Sequence, residues 1–121
     1  MSYDNNNIFA KVLRAEIPCN KIYEDEYVLS FYDINPQKKI HALVIPKGKY
    51  IDLDDFNTKA KPEEIVGMLK GITIVAKKLG ISADIGKGYR ALTNLSENGG
   101  QEVPHLHFHL FGGEKVGKMV E

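Results

Sequence analysis

The sequence predicts an α+β fold: a mainly antiparallel five-stranded sheet with two helices. Three observations carry this. Five short segments rich in β-branched and aromatic residues are set apart by turn chemistry. One long segment between them, and a short one at the start, repeat apolar residues at helical spacing. The first three strand segments are separated by turn chemistry, an acidic EDE turn and DINPQ, in keeping with a mainly antiparallel sheet. The 121 residues suit one domain over 1–121, long enough for a real core.

Residues 1–6 are polar and are expected to fray. Asn6 or Asn7 can cap a short helix over Ile8–Arg14, with Ile8, Phe9, Val12 and Leu13 on one face. Ile17-Pro18 stops helical propagation. Lys21–Glu24 and Tyr27–Tyr32 form two strands around an acidic turn. Asp33 to Gln37, DINPQ, is a break, and His41–Ile45 is the third strand, closed by Pro46-Lys47-Gly48.

DLDDFNTKAKPEE is expected to be a polar connector leading into the long helix. Pro62 suits a first helical turn, and Glu63 and Glu64 suit the positive end of the dipole. Ile65, Met68, Leu69, Ile72, Val75, Ala76 and Leu79 then recur at helical spacing, with Gly80 as the cap. Gly67 and Gly71 each cost a helix about 1 kcal/mol against Ala, which points to close packing on a neighbour. Tyr89–Asn94 is the fourth strand, Ser96 to Gln101 a loop, and Val103–Phe111 the fifth strand.

Sixteen basic and sixteen acidic side chains cancel, which gives no support for nucleic acid or a membrane surface as partner. A small anion stays open, because a few backbone N–H groups can hold one phosphate. Cys19 is the lone cysteine, so no intrachain disulfide forms, and its expected role is a small apolar filler. The start, MSYDNNN, has no apolar core of a signal peptide, and no long apolar run occurs. The expected location is cytoplasmic.

Three of the four histidines fall within five residues, in HLHFHLFGG from His105 to Gly113. A strand sends successive side chains to opposite faces. His105, His107 and His109 would therefore share one face, with Leu106, Phe108 and Leu110 on the other. On a helix they would scatter.

Three readings of that face compete. It could be an exposed face that happens to be rich in histidine. It could hold zinc, for which imidazole is a common ligand. Alternate strand residues lie about 6.5 Å apart, so one ion would take two of the three. Glu102, His41 or Asp33 would have to complete the set. The third reading is phosphoryl chemistry, with one imidazole attacking phosphorus, another fixing its tautomer, and donors for the phosphate oxygens. The loop before the strand, ENGGQ, offers glycine backbone that can approach an anion closely. Taken alone, Asp33 and Asn94 read as turn and strand-end residues, and Ile17, Phe31, Ile34 and Leu43 as core.

HLHFH followed by LFGG resembles the histidine triad motif. IFAKVLRAEIPCNKIYEDEYVLSFYDINPQKKIHALVIPK resembles the N-terminal half of the Hint branch of histidine triad nucleotide-binding proteins. GYRALTN and NGGQEVPHLHFHLFGG resemble the C-terminal half. The likeness covers nearly the whole chain, and the ordered set of motifs is specific where a lone HxH would not be.

This resemblance implies a homodimer whose two five-stranded sheets join. It also implies cleavage of purine nucleoside phosphoramidates, such as AMP or GMP joined to an amine, with no metal or other cofactor. By position, His107 would be the nucleophile on the α-phosphorus and would carry a nucleotidyl intermediate. His109 would contact the phosphate and support the leaving group. His105 would steer His107, partly through its backbone carbonyl, and His41 would be the fourth histidine packed against the triad. Asp33 would hold the ribose hydroxyls. Phe31, Tyr32, Ile34, Ile17 and Leu43 would form the base pocket. Asn94, Gly100 and Gln101 would serve the phosphate.

Alternatives under the same resemblance are cleavage of dinucleoside polyphosphates, as in another branch, and a nucleotide-binding interaction protein with weak activity. The sequence departs from some relatives in three places. Glu102 stands where some carry serine, Lys49-Tyr50 replaces a histidine-containing pair, and EKVGKMVE replaces a tail with tryptophan and proline.

Overall fold

The structure, a computed structural model, describes residues 2–120. Its centre is a five-stranded antiparallel sheet of β1 (Lys21–Glu24), β2 (Val28–Tyr32), β3 (Ile40–Pro46), β4 (Arg90–Leu92) and β5 (Phe108–Gly112). The strand order is β1-β2-β3-β5-β4, so β5 inserts between β3 and β4. Four helical segments accompany it: α1 (Ile8–Leu13), α2 (Leu53–Lys59), α3 (Pro62–Lys78) and the single turn α4 (Ser96–Gly99).

Register assigns the two faces of the sheet. Phe31 stands opposite Leu43, Leu43 opposite His109, and His41 opposite Phe111. Opposed residues in an antiparallel pair share a face. Phe31, Leu43, His41 and His109 therefore lie on one side, and Ala42, Val44 and Leu110 on the other. The second side is the main core. There α3 lays Met68, Ile72 and Val75 over Val28, Ala42, Val44, Leu106 and Leu110, with Phe56 of α2 alongside. Each such fully buried side chain stabilises by about 1.5–3 kcal/mol. On the first side Phe9 of α1 packs with Leu29, Phe31, Leu43 and Ile45. That short helix covers only part of the face, and the histidines occupy what it leaves.

Close packing at the α3 glycines is real and lies within the chain. A Cβ on Gly67 would stand 2.5 Å from the Tyr27 ring, and one on Gly71 would stand 2.9 Å from a Val28 methyl. The helix can approach β2 this closely because neither position carries a side chain.

Several expectations need correction. The polar connector contains α2, capped by Asp52, whose side chain accepts from the Asp55 N–H. The Ser96 to Gln101 loop holds α4, closed by Gly100 at φ 73°. Leu69, assigned to the buried stripe of α3, is exposed. The fourth strand is three residues long and excludes Asn94. Of the segment 1–6 expected to fray, Met1 lies outside the described residues, and within residues 2–6 Asp4 and Asn5 make contacts with the caps of α1. The Asp4 carbonyl accepts from the Asn7 backbone N–H at 3.2 Å and side-chain N–H at 2.7 Å, and the Asn5 carbonyl accepts from Arg14 at 2.8 Å.

The largest correction concerns the fifth strand, which begins at Phe108 rather than Val103. Val44 pairs with Phe108, so continuing that register would bring Leu106 opposite Pro46. Proline has no N–H to give to a ladder. The chain leaves the sheet there, and the Leu106 N–H donates to the Tyr50 carbonyl at 2.8 Å instead.

Candidate active site

That departure changes what the histidines do. His109 stays in β5 on the open face, beside His41 of β3. His107 and His105 sit in the irregular segment before it. His107 is held by its backbone, since the Thr93 hydroxyl donates to its carbonyl at 2.7 Å. Its ring packs edge-on against Phe9 and His109, each at 5.0 Å between centroids. His105 does not join the open face. It is fully buried, with Nε2 2.9 Å from the Pro46 carbonyl and Nδ1 2.6 Å from the Tyr3 hydroxyl.

Hydrogen bonding assigns the protons. A carbonyl only accepts, and a backbone N–H only donates. His107 Nδ1 lies 2.7 Å from the His105 carbonyl, so Nδ1 carries the proton and Nε2 keeps its lone pair. His41 Nδ1 accepts from the Gln37 N–H at 3.1 Å, so its proton is on Nε2. That Nε2 stands 2.9 Å from His109 Nδ1, which must accept, leaving His109 with Nε2–H. His105 donates from Nε2 to Pro46 and accepts the Tyr3 hydroxyl at Nδ1. The neutral set therefore presents one imidazole lone pair, on His107, and one imidazole N–H, on His109.

Burial keeps the set neutral. It pushes His105 down to about 4, with the Pro46 carbonyl opposing and His107 adding to the effect. Burial likewise pushes His109 down to about 4, with His107 and His41 adding to it and Asp33 opposing. His107 is lowered by burial against the pull of the His105 carbonyl, Asp33 and Glu102. His41 is lowered by burial against Asp33, whose carboxylate lies 3.5 Å from its Nε2. At His41, His107 and His109 desolvation outweighs the nearby carboxylates.

His41, His107 and His109 border a cavity of about 340 Å³. Of the residues singled out in the sequence, Asp33, His41, Leu43, Asn94, Gly100, Glu102, His107 and His109 line it. Asp33 also serves its turn, accepting from the Asn35 N–H at 2.8 Å. Asn94, two residues past β4, donates to the Gly99 carbonyl at 2.6 Å and so ties the strand's exit to the glycine loop. The others stand outside. Phe31 is buried beneath Phe9, and Tyr32 and Ile34 are exposed, Ile34 at 85 %. Ile17 borders a neighbouring groove with Val12, Leu13 and Cys19. Gln101 braces the loop, donating to the carbonyls of Ile51 at 2.7 Å and Val103 at 3.0 Å.

Residues 14–116 match the HIT domain model. The chain belongs to the HIT domain family. A HIT-like protein of Azospirillum brasilense described as uncharacterized is 50% identical over 98% of this chain and 95% of its own. The Escherichia coli purine nucleoside phosphoramidase is 40% identical over 93% of this chain and 92% of its own. Among solved structures, a HIT family hydrolase from Clostridium thermocellum superposes with a TM-score of 0.85 at 36% identity, covering 98% of this chain and 99% of its own.

In this HIT domain, one set of groups has the spacing of a metal site. Ligand atoms of Asp33, His41 and His109 lie within 4.8 Å of one another. The hydrogen bonding opposes such use. A metal on His41 Nε2 would force the ring proton onto Nδ1, where the Gln37 N–H already points. Moving that proton would set two donors face to face.

Sequence reasoning missed Phe9 as a cavity wall, along with Gln37, Asn35 and Val103. It also missed Thr93 and Tyr3 as supports of the histidine segment. Phe9 follows the helical pattern of α1 and reads as core, which it also is. The Thr93 and Tyr3 contacts span 14 and 102 residues, so no local pattern announces them.

Proposed function

We propose that this HIT domain hydrolyses purine nucleoside phosphoramidates, with His107 as nucleophile on the α-phosphorus. The observation that carries the reading is the His107 Nδ1–H bonded to the His105 carbonyl at 2.7 Å, which leaves Nε2 as a lone pair in a buried pocket. An imidazole so fixed is ready to attack without first shedding a proton. The name of the E. coli relative, purine nucleoside phosphoramidase, supports the substrate class.

The chemistry divides into two steps. His107 Nε2 forms a bond to the α-phosphorus as the P–N bond breaks, giving a nucleotidyl-histidine and the free amine. Water then attacks the phosphorus, releasing the nucleotide and restoring His107. The nitrogen leaves with a proton taken from solvent in the first step, and the attacking water returns one proton to solvent in the second as its hydroxyl bonds to phosphorus. The positive charge that His107 gains is held by its Nδ1–H on the His105 carbonyl. The His109 Nε2–H donates to a phosphate oxygen or to the departing nitrogen. Asp33 accepts from the ribose hydroxyls, Asn94 and Gly100 serve the phosphate side, and Phe9 and Leu43 frame the base.

The working unit in this reading is a cytoplasmic homodimer that needs no metal. β4 has no partner on its outer side among the described residues, and α3 exposes Val66 and Leu69. Both suit a second copy that extends the sheet. Sedimentation should then give twice the chain mass at micromolar concentration.

The deciding experiment compares turnover of an AMP-amine conjugate and a dinucleoside polyphosphate, with and without chelator. Preference for the P–N substrate, unchanged by chelator, is the expected result. Preference for the polyphosphate, or loss of activity to the chelator, overturns the reading.

A further inference from the structure

Tyr3 lies 102 residues from His105 in sequence, yet its hydroxyl stands 2.6 Å from the His105 Nδ1. Its ring meets the His105 ring edge-on at 5.7 Å between centroids, and Phe9 meets the same ring at 6.4 Å and 90°. His105 has 0% exposure, so no solvent can replace a lost partner without the packing opening. We propose that Tyr3 is a positioning residue for the reaction, fixing the tautomer and orientation of His105 and through it the lone pair of His107.

The Pro46 carbonyl takes the single ring proton of neutral His105, at Nε2. Nδ1 is then an acceptor in a closed pocket, and the Tyr3 hydroxyl is its donor. An unsatisfied buried acceptor is costly, so without the hydroxyl the ring gains by turning or by taking water. Its backbone moves with it, and the carbonyl of His105 is the group that holds the His107 Nδ1–H at 2.7 Å. A shift there frees His107 to exchange tautomers, which puts the proton on Nε2 part of the time and removes the nucleophile.

Other contacts hold Tyr3 in place. The Asp4 carbonyl accepts from both N–H groups of Asn7, and the Asn7 side chain accepts from the Ala10 N–H at 2.9 Å to cap α1. α1 in turn carries Phe9, which packs on both His105 and His107. The N-terminal segment is thus a strap from the helix cap to the far side of the histidine cluster. Burial also raises the Tyr3 hydroxyl above its ordinary value, so it stays protonated and able to donate.

The proposal rests on His107 as nucleophile, but its test does not need turnover. Long-range proton–nitrogen NMR reads ring tautomers directly. In the unaltered protein, His105 should show a protonated Nε2 and a hydrogen-bonded, unprotonated Nδ1, and His107 a protonated Nδ1. In Tyr3→Phe, which removes one oxygen, the His107 nitrogens should move toward averaged values. With an AMP-amine substrate, kcat should fall about ten-fold, the loss of one buried hydrogen bond, while KM changes less than about two-fold. A protonated Nδ1 on His105 of the unaltered protein overturns the proposal before any variant is made. So does a Tyr3→Phe variant whose His107 signals are unchanged, even if its melting temperature drops, because that is a purely structural role. If the unaltered protein turns over no phosphoramidate, the proposed function fails, and the NMR result still decides the role of Tyr3.

Discussion

His41 Nε2 stands 2.9 Å from His109 Nδ1, and the Gln37 N–H on the far side of the His41 ring sets which of the two carries the proton. The bond runs from His41 to His109. It leaves His109 with Nε2–H and no protein acceptor among the described residues. His41 is thus the support that makes His109 a donor toward the cavity. Replacing His41 by Ala should let His109 protonate at Nδ1 and turn a lone pair toward the phosphate, which repels an anion. kcat should fall about ten-fold, and Gln, whose amide N–H can replace the donor, should restore part of it. Steady-state kinetics of both variants check this; equal activity of Ala and the unaltered protein would remove His41 from the mechanism.

His107→Ala should abolish turnover while nucleotide monophosphate still binds. A nucleophile contributes many powers of ten to rate and little to ground-state affinity. The measurement is titration calorimetry with AMP beside a turnover assay. Mass spectrometry of the acid-quenched unaltered protein should show a nucleotide adduct on His107 that the variant lacks. Normal turnover in the variant would transfer the nucleophile's role elsewhere.

Much of this site was legible because period-two alternation survives locally. Leu106 and Leu110 face the main core as HLHFHLF implies, with Phe108 packed at its edge, and His109 faces the open side. What defeated the strand reading of His105 lies in a different strand: Pro46, which cannot donate where the ladder would continue. The long helix α3 shows itself through about four turns of apolar spacing, whereas α2 offers only Leu53 and Phe56 and reads as a connector. Leu69 obeys the helical period and is still exposed, because period marks a face and not what covers it. Tyr3 was invisible for a plainer reason. A polar terminal stretch carries no signal of a contact made with the other end of the chain.

The histidine cluster should make stability depend on pH in a defined window. His105 and His109 are held at about 4, below the ordinary 6.5, by burial, and His41 and His107 are lowered by burial as well. Between those values the unfolded chain binds more protons than the folded one, so stability rises with pH there. The contribution is complete above about 6.5 and is lost as pH falls toward about 4, below which His105 and His109 are protonated in both states. Each unit of depression corresponds to about 1.4 kcal/mol, so the summed loss is on the order of several kcal/mol. Urea midpoints at pH 7 and pH 5 test it. A midpoint unchanged or higher at pH 5 would mean that the histidines are not buried as neutral rings.

Glu102 borders the cavity along with His107 and His109. An ionised carboxylate can only accept hydrogen bonds, and it repels phosphate oxygens. Its favourable partner is therefore the leaving group, and a cationic amine is the kind it suits. The residue is exposed, so such a pair is worth about 0.5–1 kcal/mol, a few-fold in rate. Glu102→Ser should lower kcat/KM for a lysine-like leaving group relative to a neutral amine by that factor and leave the nucleotide preference alone. Paired substrates with one nucleotide and two amines measure the ratio directly. An unchanged ratio would place the carboxylate away from the leaving group. Loss of turnover on both substrates would give Glu102 a part in holding the His107 segment itself, since only Val103 and Pro104 separate it from His105.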